Sequence, residues 1–225
     1  MIFNAEMVRA LLDGRKTQTR RPIKWKQTRF TEIGEREDGS KWPWSEDAEH
    51  ACDFWHPCPF GAVGDRIWVR EAFRVHSRAT DVATLVYKAS ERNSWTEQTR
   101  RVPVAVCNKP ATPEKWTPSL HMPRWASRIM LEITGVRVER LNAISPEDAE
   151  SEGLERTNFT GFGDEPGLPS YPEPDVYFDP LKKQWKEYPP EAFAGLWESI
   201  YGEGSWKANP WVWVIEFKRV EGGAA

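Results

Sequence analysis

The chain has 225 residues, 39% of them hydrophobic and 29% charged, with a net charge of -3. That composition excludes a disordered tail, a collagen and a coiled coil, and it leaves a core large enough for a globular domain. No apolar run approaches the eighteen or so residues of a membrane span, and the N-terminus lacks a secretory pattern, so a cytoplasmic protein without membrane contact is expected.

The first predicted element is a short helix. Asn4 is placed to cap it, Met7, Val8, Leu11 and Leu12 share one face, and Gly14 closes it in the left-handed conformation. Lys16-Thr17-Gln18-Thr19-Arg20-Arg21 then reads as an extended segment ending near Pro22, its alternate side chains pointing opposite ways. Residues 24–60 show no sustained period, despite Trp25, Trp42, Trp44 and Trp55, and read as a long loop insertion. Strands are predicted over Arg66–Phe73, Val82–Lys88 and Val102–Cys107. Ile129, Leu131 and Ile133 alternate, a turn residue follows at Gly135, and Ser127–Leu141 is therefore one bent strand or a hairpin. Ser145-Pro146-Glu147-Asp148 has the form of a helix start, with Gly153 as its end. Residues 154–188 are rich in Gly and Pro and read as a second long loop, before a helix over Glu191–Tyr201 and a strand over Trp211–Phe217. Many short strands with three helices, and no strand-helix-strand rhythm, predict a single α+β domain built on a small, mostly antiparallel barrel or curled sheet.

Charge is unevenly spread. Residues 1–29 hold eight Lys and Arg against two acids, a net of +6, whereas residues 145–205 hold four against fourteen, a net of -10. Either a basic site sits on an acidic body, or the two segments face each other. Thirteen Trp leave a similar choice between packing and a stacking platform for bases.

The densest chemistry is in Gly14–Arg21. Lys16 lies among Arg15, Arg20 and Arg21, so like charges and any burial disfavour its ammonium form and make it a candidate base, with Thr19 a candidate nucleophile. An exposed basic strand edge is the plainer reading. Glu152, just before Gly153, stands where the helix dipole opposes a carboxylate, and so needs a cationic partner or a task. Arg70 and Glu71 point to opposite faces of their strand, and Glu71 is either a base-edge acceptor or half of a structural ion pair. His50, Cys52, His56 and Cys58 supply four zinc-capable groups at spacings that match no common finger, and buried cysteines are the preferred reading. His76 and His121 read as packed histidines. No nucleotide-binding loop, dinucleotide fingerprint, nucleophile elbow or zincin motif is present, so no metal and no cofactor are expected.

Asn4–Arg21, with Gly64–Glu71, His121–Arg128, Glu152-Gly153 and the closing Trp211–Val220, resembles the ASCH-domain proteins carried by phages and prophages. The resemblance implies a PUA-like β-barrel with helices across its ends and a cleft that handles RNA or a modified nucleoside. It is similar in particular to the branch of monomeric amidohydrolases acting on N4-acetylcytidine, whose Lys, Thr and Glu fall on Lys16, Thr19 and Glu152, with Arg15, Arg21, Arg70 and Glu71 as substrate-binding candidates. Two other functions stay open: a non-catalytic RNA-binding module, and a phage host-takeover protein that docks a protein partner through its acidic face.

Overall fold

The computed structural model describes residues 1–24, 32–47, 52–157 and 176–220. In chain order the elements are α1 (Ala5–Leu12), β1 (Gln18–Pro22), β2 (Glu32–Glu35), β3 (Lys41–Asp47), β4 (Cys52–Trp55), β5 (Arg66–Trp68), β6 (Phe73–Arg78) and β7 (Val82–Tyr87). There follow α2 (Trp95–Gln98), β8 (Thr99–Pro103), β9 (Met130–Arg140), α3 (Pro146–Ser151), β10 (Arg156–Thr157), β11 (Val176–Asp179), β12 (Gln184–Lys186), α4 (Pro189–Tyr201) and β13 (Trp211–Val220). The protein is α+β, mostly strand with few helices. Among the described residues no helix is long and apolar enough to cross a membrane.

The chain divides into two compact units. The first holds residues 1–14, 58–135 and 216–225, and the second residues 15–57 and 136–215. β9 and β13 each begin in one unit and end in the other.

In the first unit the Asn4 side chain accepts from the Met7 amide at 2.8 Å and starts α1, as the sequence predicts. β6, β7 and β8 form an antiparallel sheet. Phe73, Val75, Leu85, Tyr87 and Val102 point to one side of it and make a buried cluster with Met122 and Ala126. The strand expected over Arg66–Phe73 is broken. β5 pairs with β9 over Arg66–Trp68 and stops at the Trp68↔Met130 pair. The Arg70 amide then turns to the Met1 carbonyl at 2.8 Å, because Ile2 takes up a parallel bridge there, and Phe73 opens a new strand. The strand expected at Val102–Cys107 lies earlier. Pro103 offers no N–H to a ladder, and the Val106 and Cys107 amides fold back onto its carbonyl as a turn.

In the second unit β1 lies beside β13 and β13 beside β9. α3 and α4 pack on Val212 and Val214 of β13, burying Ala149, Phe193, Leu196 and Trp197. Each large apolar side chain removed from water there stabilises the unit by about 1.5–3 kcal/mol. β9 is a single continuous strand rather than a hairpin. Both expected insertions contain sheets. β2, β3 and β4 form an antiparallel meander with Trp44 opposite Trp55. Pro43 in its central strand hid this from the sequence, since proline is rare in central strands. Here its carbonyl accepts the His56 amide at 2.9 Å, one residue past the end of β4, so the missing N–H falls beyond the ladder. β10, β11 and β12 form a second small sheet within the expected loop over 154–188, of which residues 158–175 lie outside the described residues.

Candidate functional site

The site assembles where the first strand of the second unit meets a six-residue helix. Ser145 caps α3 by accepting from the Asp148 amide at 3.1 Å, Pro146 occupies its first turn, and Gly153 leaves it at φ +87°, a conformation glycine adopts without strain. Glu152 is the last residue before that glycine. Its amide donates to the Asp148 and Ala149 carbonyls at 3.1 and 3.3 Å, and the Gly153 amide answers the Glu150 carbonyl at 2.8 Å.

Lys16 pairs with Glu152 as an isolated antiparallel bridge, and its Nζ donates to both the carboxylate Oε2 and the main-chain carbonyl of Glu152, each at 2.8 Å. The lysine side chain has no exposed surface and Glu152 is 3% exposed. Burial pushes the Lys16 amine below the ordinary lysine value, and the neighbouring Arg21 and Arg20 charges act in the same direction, while Glu152 pulls it back up. The net direction is down. The exposed-edge reading of this segment therefore fails, and the helix-end carboxylate has the cation that its position requires.

Arg20, two strand repeats from Lys16, completes a connected cluster. Its Nη2 donates to Asp148 at 2.7 Å and Glu139 at 3.1 Å, and its Nη1 lies 3.5 Å from Glu152. Arg137 bonds Glu139 and Asp148 from β9, at 2.5 and 2.6 Å. Burial raises the Asp148 carboxyl, but hydrogen bonds and charge from Arg20 and Arg137 outweigh it and hold the group below the usual range. Gln18 donates to the Asp148 carbonyl at 2.8 Å. Lys16, Gln18 and Arg20 thus all reach α3, as side chains of one strand face must.

Thr19 is 2% exposed and sits in β1 on the other parity of the strand. The two bonds from Lys16 Nζ given above run to Glu152, on the side of the strand opposite the one its parity assigns to Thr19. Arg21, of the same parity, reaches the Tyr201 hydroxyl of α4 at 3.5 Å. Arg15 donates to the Gly153 and Leu154 carbonyls at 3.1 and 3.0 Å, fastening the exit of α3.

Arg70 and Glu71 belong to the first unit. Glu71 is buried, and Arg128 grips both its carboxylate oxygens at 2.8 and 3.0 Å while donating to Ser90 at 2.8 Å and lying over the Tyr87 ring. This is the structural ion pair, one of the two readings the sequence left open. Arg70 stacks on Trp68 at 4.4 Å. Of the zinc-capable group, His50 and the side chain of Cys52 lie outside the described residues, and His56 pairs with Ser45 at 2.9 Å. Among the described residues no three His, Cys, Asp or Glu side chains are arranged to hold a metal.

Sequence reasoning missed Arg137, Glu139 and Asp148 as parts of the cluster. A signal was there: Arg137 and Glu139 are two apart on one strand, and Asp148 is an acid in the first turn of a helix. No protein-family model matches the chain, and neither a curated protein nor a solved structure matches it.

Proposed function

We propose that the second unit carries an amide-hydrolysing site acting on an N4-acylated cytosine, as a free nucleoside or within RNA, on a PUA-like barrel of the ASCH type. The observation that supports it is the buried amine of Lys16, held 2.8 Å from the Glu152 carboxylate and shifted toward its neutral form. A neutral amine is a base, and an amine in water near neutrality is not.

In the reaction, the Thr19 hydroxyl attacks the acyl carbon as Lys16 Nζ takes its proton. The tetrahedral centre collapses, the C–N bond breaks, and the ammonium of Lys16 returns the proton to the departing N4 amine. Water then attacks the threonyl ester as Lys16 Nζ takes its proton, the ammonium returns that proton to the departing Thr19 oxygen, and the carboxylic acid leaves. Glu152 keeps the lysine in place throughout and stabilises it while it is charged. Arg21 supplies positive charge near the oxyanion. Lys16 lies two residues before β1 and on the opposite parity from Thr19, so the proton transfer requires the segment from Lys16 to Thr19 to adjust locally when substrate binds.

The deciding experiment is chromatography of N4-acetylcytidine incubated with the wild type, Lys16→Ala and Thr19→Val. Cytidine and acetate should appear with the wild type, and each substitution should lower the rate by about 10²-fold or more. Because the active form is neutral Lys16, the wild-type rate should climb with pH through the depressed lysine pKa and then level. A rate that falls steadily above neutrality, or full activity in Lys16→Ala, refutes the proposal.

A further inference from the structure

One side chain of the second unit's charged cluster has no task in the proposed reaction. Arg20 is fully enclosed and meets three carboxylates, those of Glu139, Asp148 and Glu152. Its contacts are divided by nitrogen. Nη2 donates to Asp148 at 2.7 Å and to Glu139 at 3.1 Å, and Nη1 lies 3.5 Å from Oε1 of Glu152. Nε is buried without a hydrogen-bond partner, so the terminal nitrogens aim the guanidinium. A planar fork can serve two groups in this way, and an ammonium, a single point of charge, cannot.

The Glu152 carboxylate is therefore shared. Lys16 Nζ takes Oε2 at 2.8 Å, and Arg20 faces Oε1. Glu152 is 3% exposed, and a carboxylate so buried is stable only beside a cation. Lys16 cannot be that cation at every stage, because a base spends part of its cycle without its proton. A guanidinium does not lose its proton in a protein. At 3.5 Å, Nη1 also stands beyond the usual span of about 2.7–3.2 Å for such a bond, which leaves it room to close on Oε1 as the amine becomes neutral.

We infer that Arg20 is the positioning residue of the Lys16–Glu152 pair: it keeps a permanent positive charge on the second oxygen of Glu152, so the buried carboxylate stays paired when the amine gives up its proton. As a part of catalysis this role rests on the reaction proposed for Lys16; as a property of the ion pair it is measurable without substrate. The charges facing Lys16 Nζ are Glu152 from α3 and Arg20 and Arg21 from β1. Behind Arg20 stand Asp148 of α3 and Glu139 of β9, both also held by Arg137 of β9. Loss of Arg20 removes a repelling charge and leaves Glu152 to the amine, and both effects favour the ammonium. Loss of the Asp148 charge releases Arg20 toward Glu152, which favours the neutral amine.

The test is carbon-13 NMR of the full chain grown with lysine labelled at Cε, which follows the titration of each amine; the Lys16 signal is the one that Lys16→Met removes. Arg20→Gln should raise the Lys16 midpoint by about one pH unit or more, the scale of a charge a few ångströms away. Asp148→Asn should lower it. A side chain that only held the fold together would change stability and leave both midpoints in place. The Asp148 side chain is 25% exposed, so its variant keeps the fold, and should Arg20→Gln not fold, the Asp148→Asn midpoint decides alone. The pH–rate profile of N4-acetylcytidine turnover should shift in the same directions. Midpoints that move in these directions in proteins that do not turn N4-acetylcytidine over would refute the proposed reaction and leave the role of Arg20 in the pair standing. A Lys16 midpoint that is unmoved in a folded variant, or that moves the opposite way, overturns the inference.

Discussion

The two carboxylates that matter most, Glu152 and Glu71, are both buried against cations, yet their partners differ in a way that sets their chemistry. Arg128 grips Glu71 through two parallel bonds and cannot lose its proton, so that pair is fixed. Lys16 can lose its proton. Its folded-state pKa lies below the ordinary lysine value, so over the interval between them the unfolded chain holds a proton that the folded chain has released. Stability contributed at this position therefore rises with pH across that interval and is constant below and above it. Urea unfolding of the wild type and Lys16→Met from pH 7 to pH 11 should show the difference between them moving in favour of the wild type as pH rises. Residue types gave away Lys16 and Glu152, because an amine among guanidiniums and an acid at a helix end both require explanation. They did not give away Glu71's partner, since Arg128 lies 57 positions along the chain and nothing local couples the two.

At the scale of elements, α3 is the part that carries the site, and it is only six residues long. So short a helix has little stability of its own and depends on its cap and its packing. Its third residue, Asp148, could close a capping box but is occupied by Arg20 and Arg137 instead, which leaves the Ser145 hydroxyl as the side-chain cap. Ser145→Ala should cost about 1 kcal/mol in chemical denaturation, and it should lower turnover of N4-acetylcytidine through looser placement of Glu152. α1, α3, α4, β7, β9 and β13 were legible because caps, prolines and alternating apolar residues mark them locally. The small sheets of the two expected loops were not. Their strands are two to seven residues long, and their hydrophobic signal is a few indoles rather than a period. Close approaches were equally hidden: Gly195 of α4 sits against the Asp179 carboxylate, where a Cβ would lie 1.9 Å from Oδ1. That contact joins an element of an apparent loop to a helix face, and no local pattern encodes it.

For the molecule as a whole, the chain passes between the two units four times, and two of these crossings fall inside strands, at Gly135 and Val136 of β9 and at Ile215 and Glu216 of β13. Independent domains are separated by exposed linkers, and here the chain crosses twice through extended, paired backbone. Thermal unfolding followed by far-ultraviolet circular dichroism and by tryptophan fluorescence should accordingly give one coincident transition. The uneven charge of the sequence resolves in part within the second unit, where three cations, Lys16, Arg20 and Arg137, meet three carboxylates, Glu139, Asp148 and Glu152. Composition showed both populations of charge but not which would meet.

The complete enclosure of the Lys16 amine has a practical consequence for chemical modification. With its pKa held below the ordinary lysine value by burial, it would react readily with an acylating reagent if reactivity were set by protonation alone. Access reverses that expectation, so brief treatment with acetic anhydride followed by peptide mass spectrometry should mark Lys41 and Lys218 early and residue 16 last. The lag before residue 16 is marked would then clock how often α3 lifts from the strand beneath it.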